Sequence, residues 1–171
     1  MNNSDNMALV HHYFDDILND GNHELIDDII HPAYIPFPDI KDPKAIDGDT
    51  MKEQLMKITG VEGIKSRIKL FSEQFGKINF QMVDVVETNE TIVVHYKITM
   101  THIGTWNEIP ATGLEISTFG FHLFKFKDDK IFSISGMLNM TEFLSQLGNA
   151  IISQKNELPD YVEIMRKLLN L

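Results

Sequence analysis

The segment INFQMVDVVETNETIVVHYKITMT, residues 78–101, holds the pattern that decides the fold. It is rich in Val, Ile, Thr, Phe and Tyr, and it is interrupted once by the polar residues 87–90. β-Branched and aromatic residues favour strands, and a short polar interruption between two such runs is typical of a turn. The segment therefore predicts two antiparallel strands, Ile78–Glu87 and Thr91–Thr101.

The same composition continues toward the C-terminus. Leu114–Lys127 and Lys130–Met137 are two further strand-like segments, separated by a short acidic turn. Asn139 and Glu142 then match a capping box, which predicts the start of a helix. A last amphipathic helix is predicted from about Asp160.

Helical patterns precede the strands. Apolar residues at helical spacing predict helices over residues 5–19, 23–30 and 61–75. Residues 32–50 carry four of the six prolines and predict an irregular segment. Helices followed by a meander of strands predict an α+β fold with the helices on one side of the sheet. Long strands in a small antiparallel sheet curl, so we expect a concave face that the helices close into a pocket.

The composition fits a single domain of 171 residues without cysteine, which excludes disulfides, thiolate catalysis and cysteine-ligated metals. The net charge is -10, and the first fifty residues hold eleven acidic residues against two lysines. We interpret these acids as the solvated outer face of the first helices. An acidic chain repels phosphate backbones, so we expect no nucleic-acid partner. The polar N-terminus and the lack of an apolar run of about 18 residues lead us to expect a cytoplasmic protein without membrane contact.

Five segments, in order, resemble the SnoaL-like polyketide cyclases and their ester-cyclase relatives, within the nuclear-transport-factor-2-like (ketosteroid-isomerase-like) superfamily. The resemblance covers about residues 7–148. It rests on ALVHHYFDDILNDGNHELIDDIIHPAY (8–34), GVEGIKSRIKLFSEQF (60–75), THIGTWNEIPATG (101–113), DKI (129–131) and LSQLG (144–148).

The resemblance implies a cystatin-like α+β cone over residues 1–148, in which a curved antiparallel sheet wraps on the N-terminal helices. Residues 40–58 then look like an insertion, and residues 149–171 look like an added C-terminal helical extension. Members of the superfamily commonly dimerise through the convex face of the sheet. The resemblance therefore also implies a homodimer.

The chain departs from the family at its catalytic carboxylates. Family members usually carry a Trp and two Asp residues on the last strand and the helix after it. In characterised cyclases an Asp near there acts as the base in an intramolecular aldol closure. The matching positions here are Ser135, Gly136 and Asn139. The resemblance thus implies the fold and a pocket, and not that catalytic acid.

His122 is the candidate base in their place. Proton abstraction next to a carbonyl needs a base in a dry pocket with a pKa near 7, and an unperturbed histidine is already close to that value. His122 alternates with Gly120 and Phe124 on one face of its strand, and in the register of the resemblance that face points into the pocket toward Gly136. A hydrogen-bonded core histidine without chemistry is the competing interpretation.

The other candidates for contact with a ligand are aromatic or polar residues, or neighbours of His122. They are Tyr34, Phe71, Phe75, Tyr96, His102, Trp106, Gly136 and Asn139. For His102 and Trp106, which flank a bend at Gly104, a structural role in the loop competes with ligand contact. Periodicity alone leaves open whether Tyr96 faces the pocket or the helices.

A metal site is the weaker interpretation of three residues on the second helix. His23, Asp27 and His31 are spaced four residues apart and could hold a divalent ion. His31 precedes Pro32, however, where helical geometry is disfavoured. We therefore favour a solvated helix face and expect neither a metal nor a cofactor.

Two functions stay open at this point. The first is a cofactor-free cyclase or isomerase that acts on a small, partly apolar carbonyl or ester-like molecule. His122 would be its base, and Asn139 or backbone amides would stabilise the enolate. The second is a non-catalytic ligand-binding or oligomerisation protein on the same fold, its acids lost. A pocket with His122 at its floor favours the first function, and one filled by Phe and Met side chains favours the second.

Overall fold

The computed structural model describes residues 3–36, 59–88 and 90–153. The predicted insertion at residues 40–58 and the helix predicted from Asp160 lie outside the described residues. So do most of the proline-rich segment and all of the chain beyond Ser153.

Four strands form one antiparallel sheet in the order β1-β2-β3-β4. Their bounds are Phe75–Glu87 for β1, Thr91–His102 for β2, Glu115–Lys127 for β3 and Lys130–Leu138 for β4. The predicted meander is confirmed. The largest difference is at β1, which starts at Phe75 because the preceding helix runs directly into the strand, with a bulge at Lys77 (φ 49°).

The sheet buries one face, most completely along β2. In β2 every second residue is buried, from Ile92 to His102, as period-2 side-chain alternation requires. The buried residues of β3 and β4, among them Ile116, Phe124 and Ile134, continue this face. The core lies between this concave face and the helices.

The N-terminal helices cover the concave face. α1 spans Asn3–His11 and continues as a π-helix over His12–Asn19, whose wider turns bury Tyr13, Phe14 and Ile17. A 3₁₀ turn at His23–Leu25 leads into α2, Ile26–Ile29. The predicted first and second helices are confirmed in position, although each departs in part from α-helical geometry.

Asn19 fastens the end of the π-helix to the edge of the sheet. Its side-chain amide donates to the backbone oxygen of Phe80 (2.9 Å), and its carbonyl oxygen accepts from the Phe80 amide (2.7 Å). An edge strand leaves such backbone groups unpaired, so one side chain here completes the strand as a neighbour would. The contact fixes where the π-helix, and hence Tyr13 and Phe14, sits over β1.

Two longer helices complete the fold. α3 spans Gly60–Gln74 and is tied to α2 by an ion pair from Lys65 to Asp27 (2.7 Å). α4 spans Met140–Ser153, so the predicted boundary at residue 148 falls inside a helix. The predicted N-cap is confirmed, since the Glu142 amide donates to Asn139 Oδ1 (3.2 Å). The reciprocal bond of a capping box differs, because Glu142 accepts from the Asn139 side chain (3.4 Å) while the Asn139 backbone amide donates to Phe119 (2.9 Å).

The arrangement is the expected α+β cone: N-terminal helices, a curved four-stranded antiparallel sheet and a following helix. None of the helices in the described part of the chain is long and apolar enough to cross a membrane.

Candidate functional site

A cavity of about 330 Å³ lies between the helices and the concave face of the sheet. Most of its wall is apolar and comes from Leu18, Ile68, Phe71, Phe80, Ile98 and Leu138. Four polar side chains also line it, those of Tyr13, Arg67, Tyr96 and His122. A mostly apolar cleft with a few convergent polar groups is the usual form of a small-molecule site.

His122 lies at the floor of the cavity, where the inward face of β3 places it. Its ring stacks on Phe14 (centroids 5.6 Å apart) and contacts the ring of Tyr96 (4.7 Å). Nε2 is 3.4 Å from the Tyr96 hydroxyl oxygen, and the buried Nδ1 has no hydrogen-bond partner among the described residues. A buried polar atom without a partner is rare in proteins, and this one belongs to a side chain that lines the cavity.

The charge state of His122 follows from its surroundings. Burial, and secondarily the positive charge of Arg67, lower the pKa of His122 to about 3. Both causes disfavour the imidazolium, the first by desolvation and the second by like-charge repulsion. The ring is therefore neutral at physiological pH, with one nitrogen able to donate and the other able to accept.

Arg67 places a positive charge in the wall of the cavity. It projects from α3, hydrogen-bonds the Tyr13 side chain and lies near Tyr34 and Tyr96. Burial opposes the charge, but the surrounding phenols more than offset this effect, so the pKa of Arg67 is raised. Burial also raises the pKa of Tyr13, Tyr34 and Tyr96, so the three phenols stay neutral.

Gly136 leaves the space that the His122 ring occupies. The two residues are direct partners in the β3–β4 register. A Cβ atom placed on Gly136 would lie 2.6 Å from Cδ2 and 2.8 Å from Nε2 of His122, closer than such atoms approach in proteins. A side chain at position 136 and the present ring pose therefore exclude one another.

Four of the nine predicted site residues share the cavity: Phe71, Tyr96, Gly136 and His122. The structure thus answers the question about Tyr96, which faces the cavity. Tyr34 is buried beside Arg67 without lining the cavity. Phe75 contacts Phe71 (5.2 Å) and lines a neighbouring cleft on the other side of Leu18, Ile68 and Phe80.

The remaining three candidates lie away from the cavity and have structural contacts. His102 Nδ1 bonds the Thr112 hydroxyl (3.0 Å). The backbone amide and the backbone oxygen of His102 both pair with the far end of the loop that follows β2. Trp106 forms a small backbone bridge with Ile109 and packs on Phe143 (4.9 Å). Asn139 caps α4 as described above. In each case the described contacts are those of a loop anchor or a helix cap.

Sequence reasoning missed Arg67 and Tyr13 as site residues. Arg67 lies three residues after Ile64 and four before Phe71, so it shares their helix face, which was the signal that could have found it. Tyr13 belongs to the apolar helical pattern of residues 5–19, which predicts a core position for it. Neither pattern reveals that both side chains end at one cavity, because that depends on the packing of α3 against the π-helix.

The candidate metal ligands are engaged elsewhere. Asp27 pairs with Lys65, and His31 bonds Asp128 (3.3 Å). Within residues 3–36, 59–88 and 90–153, no cluster of three His, Cys, Asp or Glu side chains could hold a metal ion. In the same ranges, no carboxylate lines the cavity.

Comparison with known proteins gives the chain a family. The sequence family described as SnoaL-like polyketide cyclase matches residues 8–147. No curated protein matches the chain at a significant level.

Solved structures share the fold at low sequence identity. TsrD from Streptomyces laurentii is 19% identical, with a TM-score of 0.69 over 86% of this chain and 98% of its own. A candidate SnoaL-like polyketide cyclase from Jannaschia sp. is 14% identical, with a TM-score of 0.67 over 84% and 91%. A candidate polyketide cyclase from Acidithiobacillus ferrooxidans is 21% identical, with a TM-score of 0.66 over 84% and 94%.

The contact between positions 122 and 136 gives a first prediction. Gly136→Ala should destabilise the protein by about 1–3 kcal/mol, because the new methyl group overpacks against the His122 ring. In a His122→Ala background the same change should cost less than about 0.5 kcal/mol, since the obstructing ring is gone. Urea unfolding of the four proteins at one fixed concentration measures both values. An equal cost in the two backgrounds would contradict the assigned clash.

Proposed function

The chain belongs to the SnoaL-like polyketide cyclase family, and from this premise we propose that it binds a small, partly apolar carbonyl or ester-like molecule and acts on it as a cofactor-free cyclase or isomerase. The observation that carries the proposal is the buried His122 imidazole, which has an unpartnered nitrogen and lines an open, largely apolar cavity. The Phe and Met side chains of the wall leave a cavity of about 330 Å³ with His122 in its lining, and a pocket with His122 at its floor is the arrangement that favours catalysis.

The proposed step is proton transfer from the carbon next to the ligand's carbonyl group. Neutral His122 accepts the proton and becomes an imidazolium, while the electron pair of the C–H bond moves to the carbonyl oxygen and forms an enolate. The Tyr96 hydroxyl, 3.4 Å from Nε2, is placed to donate to that oxygen as its charge grows. Because Asn139 is engaged in the cap of α4, we assign the stabilising role to Tyr96 instead.

Arg67 has two opposite effects on this proton transfer. Its charge makes protonation of His122 less favourable, and it also favours a negative charge elsewhere in the same cavity. Proton transfer creates the imidazolium and the enolate together, so the enolate offsets part of the repulsion between His122 and Arg67. The arrangement therefore favours deprotonation of a bound ligand over protonation of His122 from solvent.

The second candidate function is binding without chemistry. The specific observation in its favour is the pKa of about 3 for His122, far below the value near 7 that suits a general base. On this account His122 is a neutral hydrogen-bonding group that orients a ligand. The cavity is then used for storage or sensing.

Exchange of carbon-bound hydrogen separates the two functions. Enolisable aryl ketones and esters, beginning with 4-phenyl-2-butanone, are incubated with the protein in D₂O, and loss of the α-proton signal is followed by NMR. We expect exchange above the buffer rate, with His122→Gln lowering the protein-dependent rate by at least about 100-fold. His11→Gln, which changes an exposed histidine of α1, is the matched control and should exchange as the wild type does.

The result that contradicts catalysis is binding without exchange. If probes bind the wild type, as shown by broadening of their NMR signals, and still exchange at the buffer rate, the non-catalytic function is favoured. Equal exchange by the wild type and His122→Gln would remove His122 as the base.

We further propose that two copies pair through the outer face of the sheet. Phe119 and Phe121 of β3 are half-exposed there, His95 stacks on Phe121 (4.6 Å), and Met137 is exposed beside it. Large apolar side chains clustered on a flat strand face mark an interaction surface. A second copy presents the same surface, which a two-fold axis can pair with itself.

The mass in solution tests the proposed pairing. Light scattering at micromolar concentration should give twice the chain mass of 19.6 kDa, and Phe121→Glu should give the monomer. Leu70→Glu makes the same kind of change at an exposed apolar residue of α3 and should leave the dimer intact. A monomeric wild type, or a dimer that survives Phe121→Glu, would rule out this interface. The cytoplasmic location and the lack of a nucleic-acid partner stay predictions from the sequence.

A further inference from the structure

The polar groups of the cavity have an uneven charge. Of the four polar side chains that line it, Arg67 is cationic, while Tyr13, Tyr96 and His122 are neutral at physiological pH. No Asp or Glu among the described residues lines the cavity. The described residues of the candidate site thus carry a net positive charge in a chain of net charge -10.

The described contacts of Arg67 use only part of its hydrogen-bond donors. Among the described residues no carboxylate lies within 4 Å of its guanidinium group, whereas Lys65 and Lys69 on the same helix both pair with acids. Arg67 hydrogen-bonds the Tyr13 side chain. A guanidinium has five N–H donors in a planar fork, so donors remain for a ligand.

Burial is the largest single influence on Arg67 and disfavours its charge. An anionic ligand would add a further offset to that desolvation, beside the phenols. The planar fork matches the two oxygens of a carboxylate. His122 adds a second polar group to the same cavity wall, and its buried Nδ1 has no partner among the described residues. An anion at Arg67 would also reduce the repulsion that disfavours a proton on His122.

We propose that the ligand of this cavity is an organic carboxylate, whose charged group is bound by Arg67 and whose apolar body lies against Ile68, Phe71 and Phe80. This inference rests on the proposed function, because it names the class of molecule that the same cavity takes. The volume of about 330 Å³ is at the small end of ligand sites, so the acid is a compact one. Arg67 is a specificity-determining residue in this account.

A matched pair of probes tests the proposal on the wild type. 4-Phenylbutyrate and 4-phenylbutyramide share the apolar body and differ in charge. Isothermal titration at pH 7 should show the acid binding at least about tenfold more tightly than the amide, as expected for a charge-assisted bidentate contact. Benzoate and 2-naphthoate, each with its amide, extend the comparison to other body sizes. Equal affinity of acids and amides, or no binding by any of the acids at millimolar concentration, would overturn the proposal.

Variants of α3 test which residue causes the preference for the acid over the amide. Arg67→Gln should abolish the difference between acid and amide, while Lys69→Gln, which removes an exposed cation two residues away, should keep it. The acid should also shift the NMR signals of the His122 ring. If Arg67→Gln fails to fold, the wild-type ratio together with this shift decides the matter. A preference that persists in folded Arg67→Gln, or an acid that leaves the His122 signals unmoved, would place the carboxylate elsewhere.

The outcomes separate this inference from the proposed function. Acid binding without His122-dependent hydrogen exchange would leave the carboxylate site in place and remove the catalysis. His122-dependent exchange of neutral ketones without any preference for acids would support the catalysis and overturn the carboxylate site.

Discussion

The candidate site depends on one steric constraint, the direct pairing of His122 with Gly136 across β3 and β4. An imidazole ring fits over the floor of the cavity because position 136 has no side chain, and a Cβ atom there would meet the ring at 2.6 Å. In the register of the resemblance, Gly136 stands at the position of a family aspartate. In this structure a histidine from the neighbouring strand occupies the space beside it.

The electrostatics of the cavity follow from the residues that line it. Among the described residues no carboxylate lies on the cavity wall and the partners of Arg67 are phenols, while Arg67 adds to desolvation in keeping His122 uncharged. The site is thus a neutral imidazole beside a cation inside a mainly apolar wall. Such a site binds anions or groups that become anionic, which connects the proposed proton transfer with the proposed carboxylate ligand.

The sequence predicted the fold well, because its signals are local and repeated. The four strands, the three helices before them and the N-cap at Asn139 each depend on short-range patterns that the structure reproduces. The π-helix at His12–Asn19 was not predicted, since its apolar spacing is also that of an α-helix. For the site, strand alternation brought His122 and Gly136 together and left Tyr96 open. Arg67 was not predicted as a site residue, because the sequence of a half-apolar helix face does not indicate where a guanidinium group on it lies.

The ionisation of the His122 ring tests the central claim most directly. Among the seven histidines, its NMR signals are identified by their loss in His122→Gln, and their shift is then followed with pH. The account predicts a ring that is still neutral at pH 5, with a pKa well below the ordinary value of about 6.5, because burial and Arg67 both disfavour the charge. A ring that titrates near pH 6.5 would show that water or a counter-ion reaches it, and would contradict a desolvated imidazole beside the positive charge of Arg67.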